Sequence, residues 1–367
     1  MAINILFDSS FVLHRNLFSL SATSESRFLD SPQDVSLFVK KVIDDLNSIV
    51  AIFPKSFMKR LIWARDSRSW RKDLIEGVDY KGTRIKDETK INWDEFRRVS
   101  NELSDVLSEC GFIISSEQTA EADDLLYLWS QHLLDKGESS IIVTSDKDLN
   151  QCLRFTPEGH VVCTYNPMNK NKRFTFHEEM EKFDWSSKSD IDDLFSDRNE
   201  SSAERLFKIS QQYEQEFVNP YQVSIEKIFE GDKSDNVPSA LQWKKGDRTY
   251  SFTSRMMGIL MEGFSYNKEF LEKLRFKQNF RDTILFEAIG ITHQNIDIRV
   301  ASKSLLDNVS LMYLDRSVIP ENINVSNFDE PKKTFDLRDT KVYEIKPEWT
   351  YTSSNDGTMS DIFSMME

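Results

Sequence analysis

Cysteine and histidine are scarce in this chain, and long apolar runs are missing. The three cysteines, Cys110, Cys152 and Cys163, are odd in number and stand at no metal-binding spacing. That excludes a cysteine metal site and suits a reducing cytoplasm. The five histidines show no pairing at zinc-ligand spacing. No stretch approaches the ~20 apolar residues that cross a bilayer, so no membrane partner is expected. Asp8 interrupts the only apolar run near the N-terminus, and no secretory signal is expected. No internal repeat is evident. What remains is a polar chain of 367 residues, 39% hydrophobic and 29% charged. It is long enough for two packed units, or one domain with a substantial appendage.

The net charge of −14 argues against a nucleic-acid partner until its distribution is read. Residues 54–98 hold thirteen Lys/Arg against eight Asp/Glu, and residues 241–281 hold nine against four. Residues 178–216 hold five against twelve. Two basic segments suited to phosphates and one acidic insert are therefore hidden in an acidic total. Taken alone, the basic segments also fit ordinary solvated faces.

Three short apolar runs end in aspartate: Ile3 to Phe7 before Asp8, Leu61 to Arg65 before Asp66, and Ile141 to Ser145 before Asp146. Runs this short and rich in Ile and Val read as buried strands of a parallel sheet. Helical stripes over Pro32–Ile52, Phe96–Leu107 and Glu121–Leu134, the last capped by Thr119, alternate with them. Strand, helix, strand in this order predicts right-handed crossovers and a doubly wound α/β sheet. Residues 65–93 are polar and basic without sustained periodicity, the mark of a functional or disordered loop. Residues 183–216 read as an acidic, partly helical insertion. Val223 to Leu314 reads as helical without strands, and residues 331–367 as a polar tail.

Ligands of such sheets bind outside the carboxyl ends of the strands. The strand-end aspartates should converge there with Asp148, with Glu121, Asp123 and Asp124, and with Asp232 and Asp235 of Gly231-Asp232-Lys233-Ser234-Asp235-Asn236. Nine carboxylates in one crevice repel and call for a shared cation. Oxygen ligands without nearby Cys or His fit Mg²⁺ or Mn²⁺. Each motif singly also has a structural reading as a helix cap, a dipole complement or an Asx turn.

In this order the motifs resemble the 5′ nuclease (flap endonuclease-like) superfamily, most closely its RNase H members from T-even-type bacteriophages. The resemblance covers roughly Ile3 to Ile323 apart from the acidic insert. Leu6-Phe7-Asp8-Ser9-Ser10 is similar to the first acidic motif, and Asp66 with Trp70-Arg71-Lys72-Asp73 to the second. Tyr80-Lys81-Gly82-Thr83-Arg84 resembles the arch that passes the 5′ strand. Glu121-Ala122-Asp123-Asp124, Ser145-Asp146-Lys147-Asp148 and Gly231 to Val237 resemble the remaining acidic motifs. In one departure, Pro238 to Trp243 and then Lys244, Lys245 and Arg248 stand where many cellular relatives carry a Gly-x-Gly hairpin. Duplex binding is expected from that different loop.

The resemblance implies a parallel-sheet (PIN/5′ nuclease-like) catalytic domain over 1–182 with a helical arch at 65–93. It also implies a smaller helical DNA-binding domain over 217–330. It implies a two-metal 5′→3′ exonuclease and flap endonuclease, with Mg²⁺ or Mn²⁺ bound by Asp8, Asp66, Glu121, Asp123, Asp124, Asp146 and Asp148 and, at a looser position, by Asp232 and Asp235. Arg71, Lys72, Lys81 and Arg84 would neutralise the scissile phosphate and 5′ strand, and Lys244, Lys245 and Arg248 would hold the duplex. Implied partners are branched or nicked DNA, RNA–DNA duplexes, a single-strand-binding protein and a sliding clamp. The clamp would be reached through residues 358–366, where Ile362-Phe363 resembles a clamp-binding peptide. The implied protein is a monomer of the host bacterial cytoplasm that removes RNA primers in phage replication. Phe11 and Phe18 read as core packing, with base stacking as the alternative. A HAD-type phosphatase would need a second acid where Ser10 stands, and a catalytically dead relative would have lost acids that are all present.

Overall fold

In a computed structural model, residues 3–20, 28–84, 89–182 and 201–325 are described. The 358–366 segment lies outside them. Strand β1 (Ile3–Asp8) leads into helix α1 (Ser9–Phe18) and α2 (Pro32–Val50). Strand β2 (Met58–Ala64), α3 (Trp93–Glu109), β3 (Ile113–Ser115), α4 (Ala122–Asp135) and β4 (Ser139–Val143) follow. Then come β5 (Arg154–Phe155), β6 (Val161–Tyr165), β7 (Lys172–His177), α5 (Ser202–Ser210) and β8 (Glu214–Val218). The sheet order is β3-β2-β1-β4-β6-β7-β8, with β5 paired to β6. The pairings from β3 through to β6 are parallel, and β7 runs antiparallel to β6. The fold is α/β.

Alternation along the strands fills both faces of the sheet. Ile5, Phe7 and Val143 join Phe38, Val42 and Leu103 of the helices on one side. Leu6, Ile62 and Ile142 join Leu125, Leu126 and Trp129 of α4 on the other. A strand buried on both faces shows no polar alternation, which is why these runs read as continuously apolar. Successor strands lie on opposite sides of β1, so the order of the sheet reverses between β1 and β4. A crevice opens at that reversal.

Helices α6 (Pro220–Glu230), α7 (Ser254–Met261), α8 (Lys268–Phe276), α9 (Gln278–Thr292) and α10 (Ile298–Met312) build a second core around Ile228, Phe229, Leu274, Leu285 and Leu305. The expectation of helices without strands needs correcting here. Strands β9 (Gln242–Lys245) and β10 (Arg248–Ser251) form a hairpin turning at Gly246, whose φ of 63° suits a residue without a β-carbon. After α10 the chain returns to the sheet domain, where Leu314, Ile319, Ile323 and Val325 pack under α4.

The insertion assigned to 183–216 is also smaller than expected. Ala203 and Leu206 of α5 are buried in the sheet's core, and β8 extends the sheet beside β7. Acidic composition concealed this, because three aliphatic positions over nine residues leave a weak stripe.

Candidate metal centre

The sheet brings four aspartates to the crevice. Asp8 ends β1, Asp66 follows β2, Asp123 lies in the first turn of α4 and Asp146 follows β4. Hydrogen bonds fix three of them. Asp8 caps α1, its Oδ1 accepting from Phe11 N at 3.0 Å, while Oδ2 accepts from Thr144 Oγ1 at 3.0 Å. Asp66 Oδ1 accepts from Ala122 N at 2.8 Å, and Oδ2 accepts from the Ser10 hydroxyl. Asp146 Oδ1 accepts from Asp148 N at 2.8 Å. Asp8, Asp66 and Asp146 line an open cleft of about 830 Å³ together with Ser10, Phe18 and Arg84.

None of these four forms an ion pair within 4.0 Å among the described residues. Their mutual charge is felt. Burial, with repulsion from Asp66 and Asp146, pushes Asp8 up to about 7 against the bonds from Phe11 and Thr144. Burial and the charges of Asp146, Asp8 and Asp66 raise Asp123 well above its ordinary value. Asp146 is raised by burial and by Asp235 and Asp232, with Lys227 and Lys81 opposing.

The other five expected ligands are differently disposed. Asp124 is fully buried, and Arg71 binds it through Nη2 at 2.7 Å and Nη1 at 3.0 Å. Its Oδ2 also accepts from Trp70 Nε1 at 3.0 Å and from Glu121 N at 3.1 Å. Three of those bonds fall on Oδ2 and one on Oδ1, so this expected metal ligand is held by the cap, the indole and the guanidinium. Glu121 and Asp124 form a capping box at the start of α4, which replaces the expected Thr119 cap. Glu121 accepts from Arg71 Nη1 and Ser69 Oγ, both at 2.8 Å, and from the Lys81 ammonium. Although burial opposes it, Lys81 and Arg71 hold Glu121 below its usual range. Asp235 is paired with Arg84 and accepts from the Tyr80 hydroxyl at 3.1 Å. Asp148 and Asp232 share Lys227, at 2.9 Å for Asp232. Burial raises Asp232, but bonds from Ser234 and Lys227 prevail and bring it down to about 2.

Among the described residues the nine carboxylates thus divide into four without an ion pair and five paired with lysine or arginine. Among the described residues no group of three or more His, Cys, Asp or Glu side chains converges as a ready-made metal site. The free set is nonetheless hard oxygen in a like-charged crevice, a donor chemistry that fits a divalent cation of the Mg²⁺ class.

Two expected roles change with these contacts. Arg71, read as a phosphate clamp, is 3% exposed and holds Glu121, Asp124 and the Leu311 carbonyl, the last at 2.9 Å from Nε. It is a positioning residue between the cluster and α10. Lys81 and Arg84 are not free in the loop but docked on the loop after α6. Lys81 takes the left-handed φ of 58°, its N–H donates to Asp235 O at 2.8 Å, and its neighbour Tyr80 packs on Val237 and Leu311. Lys72 is exposed. Lys244, Lys245 and Arg248 are exposed on the β9–β10 hairpin, outside the cluster. Phe11 is partly buried against the core, whereas Phe18 is 64% exposed at the cleft and stacks on His14 at 6.1 Å. Core packing therefore describes Phe11 and not Phe18. Sequence reasoning gave no role to Thr144, Tyr80 or Lys227; Thr144 and Tyr80 stood in runs already singled out, and Lys227 did not.

Residues 4–184 match the family described as 5′-3′ exonuclease, N-terminal resolvase-like domain. No curated protein matches the chain in sequence. Among solved structures, the flap endonuclease of bacteriophage T5 in a product complex with DNA and metal ions is 14% identical, with a TM-score of 0.48. That likeness covers 85% of this chain and 89% of the T5 chain. The T5 5′-exonuclease with zinc bound is 13% identical over the same shares, with a TM-score of 0.48. Among the described residues no helix is long and apolar enough to cross a membrane.

Proposed function

Residues 4–184 belong to the 5′-3′ exonuclease family through its N-terminal resolvase-like domain, and from that premise we propose a divalent-metal-dependent 5′→3′ exonuclease and flap endonuclease. The observation that carries it is the set of Asp8, Asp66, Asp123 and Asp146, gathered at the reversal of the sheet with no ion pair of their own among the described residues. These four would hold the metal. Two divalent ions, when bound, supply charge relief at the phosphoryl oxygens and a water nucleophile at neutral pH.

The chain's own residues do the rest. Thr144 and Ser10 orient the carboxylates of Asp8 and Asp66. Arg71 fixes Glu121 and Asp124, and so the start of α4 that carries Asp123. Lys81 and Arg84 stand at the cleft with long stems that can turn from Glu121 and Asp235 to phosphate oxygens once metal neutralises the acids. Phe18 offers an exposed ring to a base beside the reacting strand. Lys244, Lys245 and Arg248 would track the duplex backbone through contacts that position and do not read sequence. Branched or nicked DNA and RNA–DNA duplexes are the proposed substrates, and removal of RNA primers in phage replication is the proposed task.

Asp146→Asn tests the reading. It should abolish cleavage of a 5′-labelled flap in Mg²⁺ while flap binding persists. The metal-free melting temperature should hold or rise, because one repelling charge is gone. Near-normal turnover in saturating Mg²⁺ would sink the assignment.

A further inference from the structure

Lys227 lies on the last turn of α6, and its ammonium group stands between acids from two different elements. Its Nζ is paired with Asp148, in the turn after β4, and with Asp232 Oδ2 at 2.9 Å, in the loop after α6. The side chain is only 11% exposed. Asp148 in turn donates its N–H to Asp146 Oδ1, so the lysine is one residue removed from the cation-free set. One positive charge against two carboxylates leaves the group of three a net acid.

Beside it lies a second cleft of about 680 Å³, lined by Asp148, Glu178, Glu226, Lys227, Glu230 and Asp232. With Glu216, which also lines it, four further acids therefore stand where a displaced ammonium could go, beside a flexible four-carbon stem.

We infer that Lys227 is a positioning residue, the built-in counter-ion of the Asp148–Asp232 pair, and that it lowers the affinity of that pair for a divalent cation. The inference rests on the metal-dependent reading above. A cation approaching Asp148 and Asp232 must repel or displace the ammonium already shared by them. The pair consequently stays assembled without metal, and its cation is the more weakly held. In the sequence the lysine carried no signal, since it lies outside every acidic motif and is ordinary on a helix surface.

The test is a Mn²⁺ titration of the full chain, with free Mn²⁺ followed by electron paramagnetic resonance and melting temperature measured alongside. The native chain should show a tighter and a weaker class of bound ion. Lys227→Met should tighten the weaker class at least tenfold and lower the metal-free melting temperature, while Lys227→Arg should restore weak binding. Should Lys227→Met fail to fold, Lys227→Gln carries the same expectation. A merely structural lysine would lower the melting temperature and leave the weaker class unchanged or weakened, and that result overturns the inference alone. A native chain that takes up no Mn²⁺ overturns the metal-dependent reading, and the lysine's role with it.

Discussion

Arg71→Ala distinguishes a folding residue from a substrate clamp. Its guanidinium makes three bonds of 2.7–3.0 Å to Glu121 and Asp124, and Nε donates to Leu311 O at 2.9 Å. Removing one partner of such a buried pair costs about 3–5 kcal/mol, because the remaining charge is left uncompensated. That cost concentrates on Asp124, which is fully buried, since Glu121 keeps Lys81. For a domain of this size roughly 2–4 °C of melting temperature follow each kcal/mol, so the fall should be on the order of 10 °C. Arg71→Lys should recover only part of it, because an ammonium cannot reproduce the two-pronged contact. The assay is thermal unfolding without DNA or metal, with Lys72→Ala as control. Lys72 is exposed, so its variant should melt with the parent and reduce the salt slope of flap binding by about one. An Arg71→Ala protein that melts within a degree of the parent but binds flaps weakly, with a flatter salt dependence, refutes the reasoning and restores the clamp.

The docked loop makes a related claim: Lys81→Ala with Arg84→Ala should lower metal-free stability, since Asp235 loses its cations and Glu121 is left with Arg71 alone, and Mg²⁺ should recover part of the loss. Equal melting of parent and double variant without metal would contradict it. Leu206→Ala should cost about 2–5 kcal/mol as a buried aliphatic truncation, and removal of residues 186–211 should prevent folding of the sheet domain. Chemical denaturation measures the first, and a two-state transition at the parent's midpoint would refute it. Glu138 is opposed by burial but held below its ordinary range by Lys59, Asn4 and Arg60. A depressed folded-state value gives stability that is present above about pH 4.5, the unfolded value, and lost as pH falls through the lower folded one. Glu138→Gln should therefore melt lower at pH 7, with the difference shrinking below pH 4; a gap that stays constant to pH 3 would contradict this.

Legibility in the sequence tracked how local the cause was. Strands β1, β2 and β4 were readable because burial on both faces writes Ile and Val without interruption, and α2 and α3 because one stripe of each packs on the sheet. Strands β7 and β8 were not, since an edge pair needs few apolar residues and Glu214–Val218 is partly exposed throughout. The hairpin of β9 and β10 carries exposed Lys, Arg and Thr on a polar run, so its only local sign was Gly246. In the site, the acids were legible and their partners were not. Arg71 and Asp124 are separated by fifty-three positions, and Lys227 and Asp148 meet only because α6 packs on the turn after β4. Pairing across such distances is a product of the fold and leaves no spacing to read.

The capping and metal readings of the acidic motifs are in the end compatible. A carboxylate has two oxygens and about four lone-pair sites, and a cap uses one of them. Asp8 caps α1 through Oδ1 and turns Oδ2 to Thr144, and Asp146 caps the following turn through Oδ1. Capping fixes each carboxylate at the carboxyl end of a parallel strand, and both residues line the cleft. An aspartate at a strand's end is thus oriented before any cation arrives, and burial, with repulsion from Asp66 and Asp146 added to it, raises Asp8 there. Asp124 marks the limit of the argument. There the cap, the indole and one guanidinium nitrogen crowd Oδ2 while the other guanidinium nitrogen holds Oδ1, so this carboxylate ties its neighbours together.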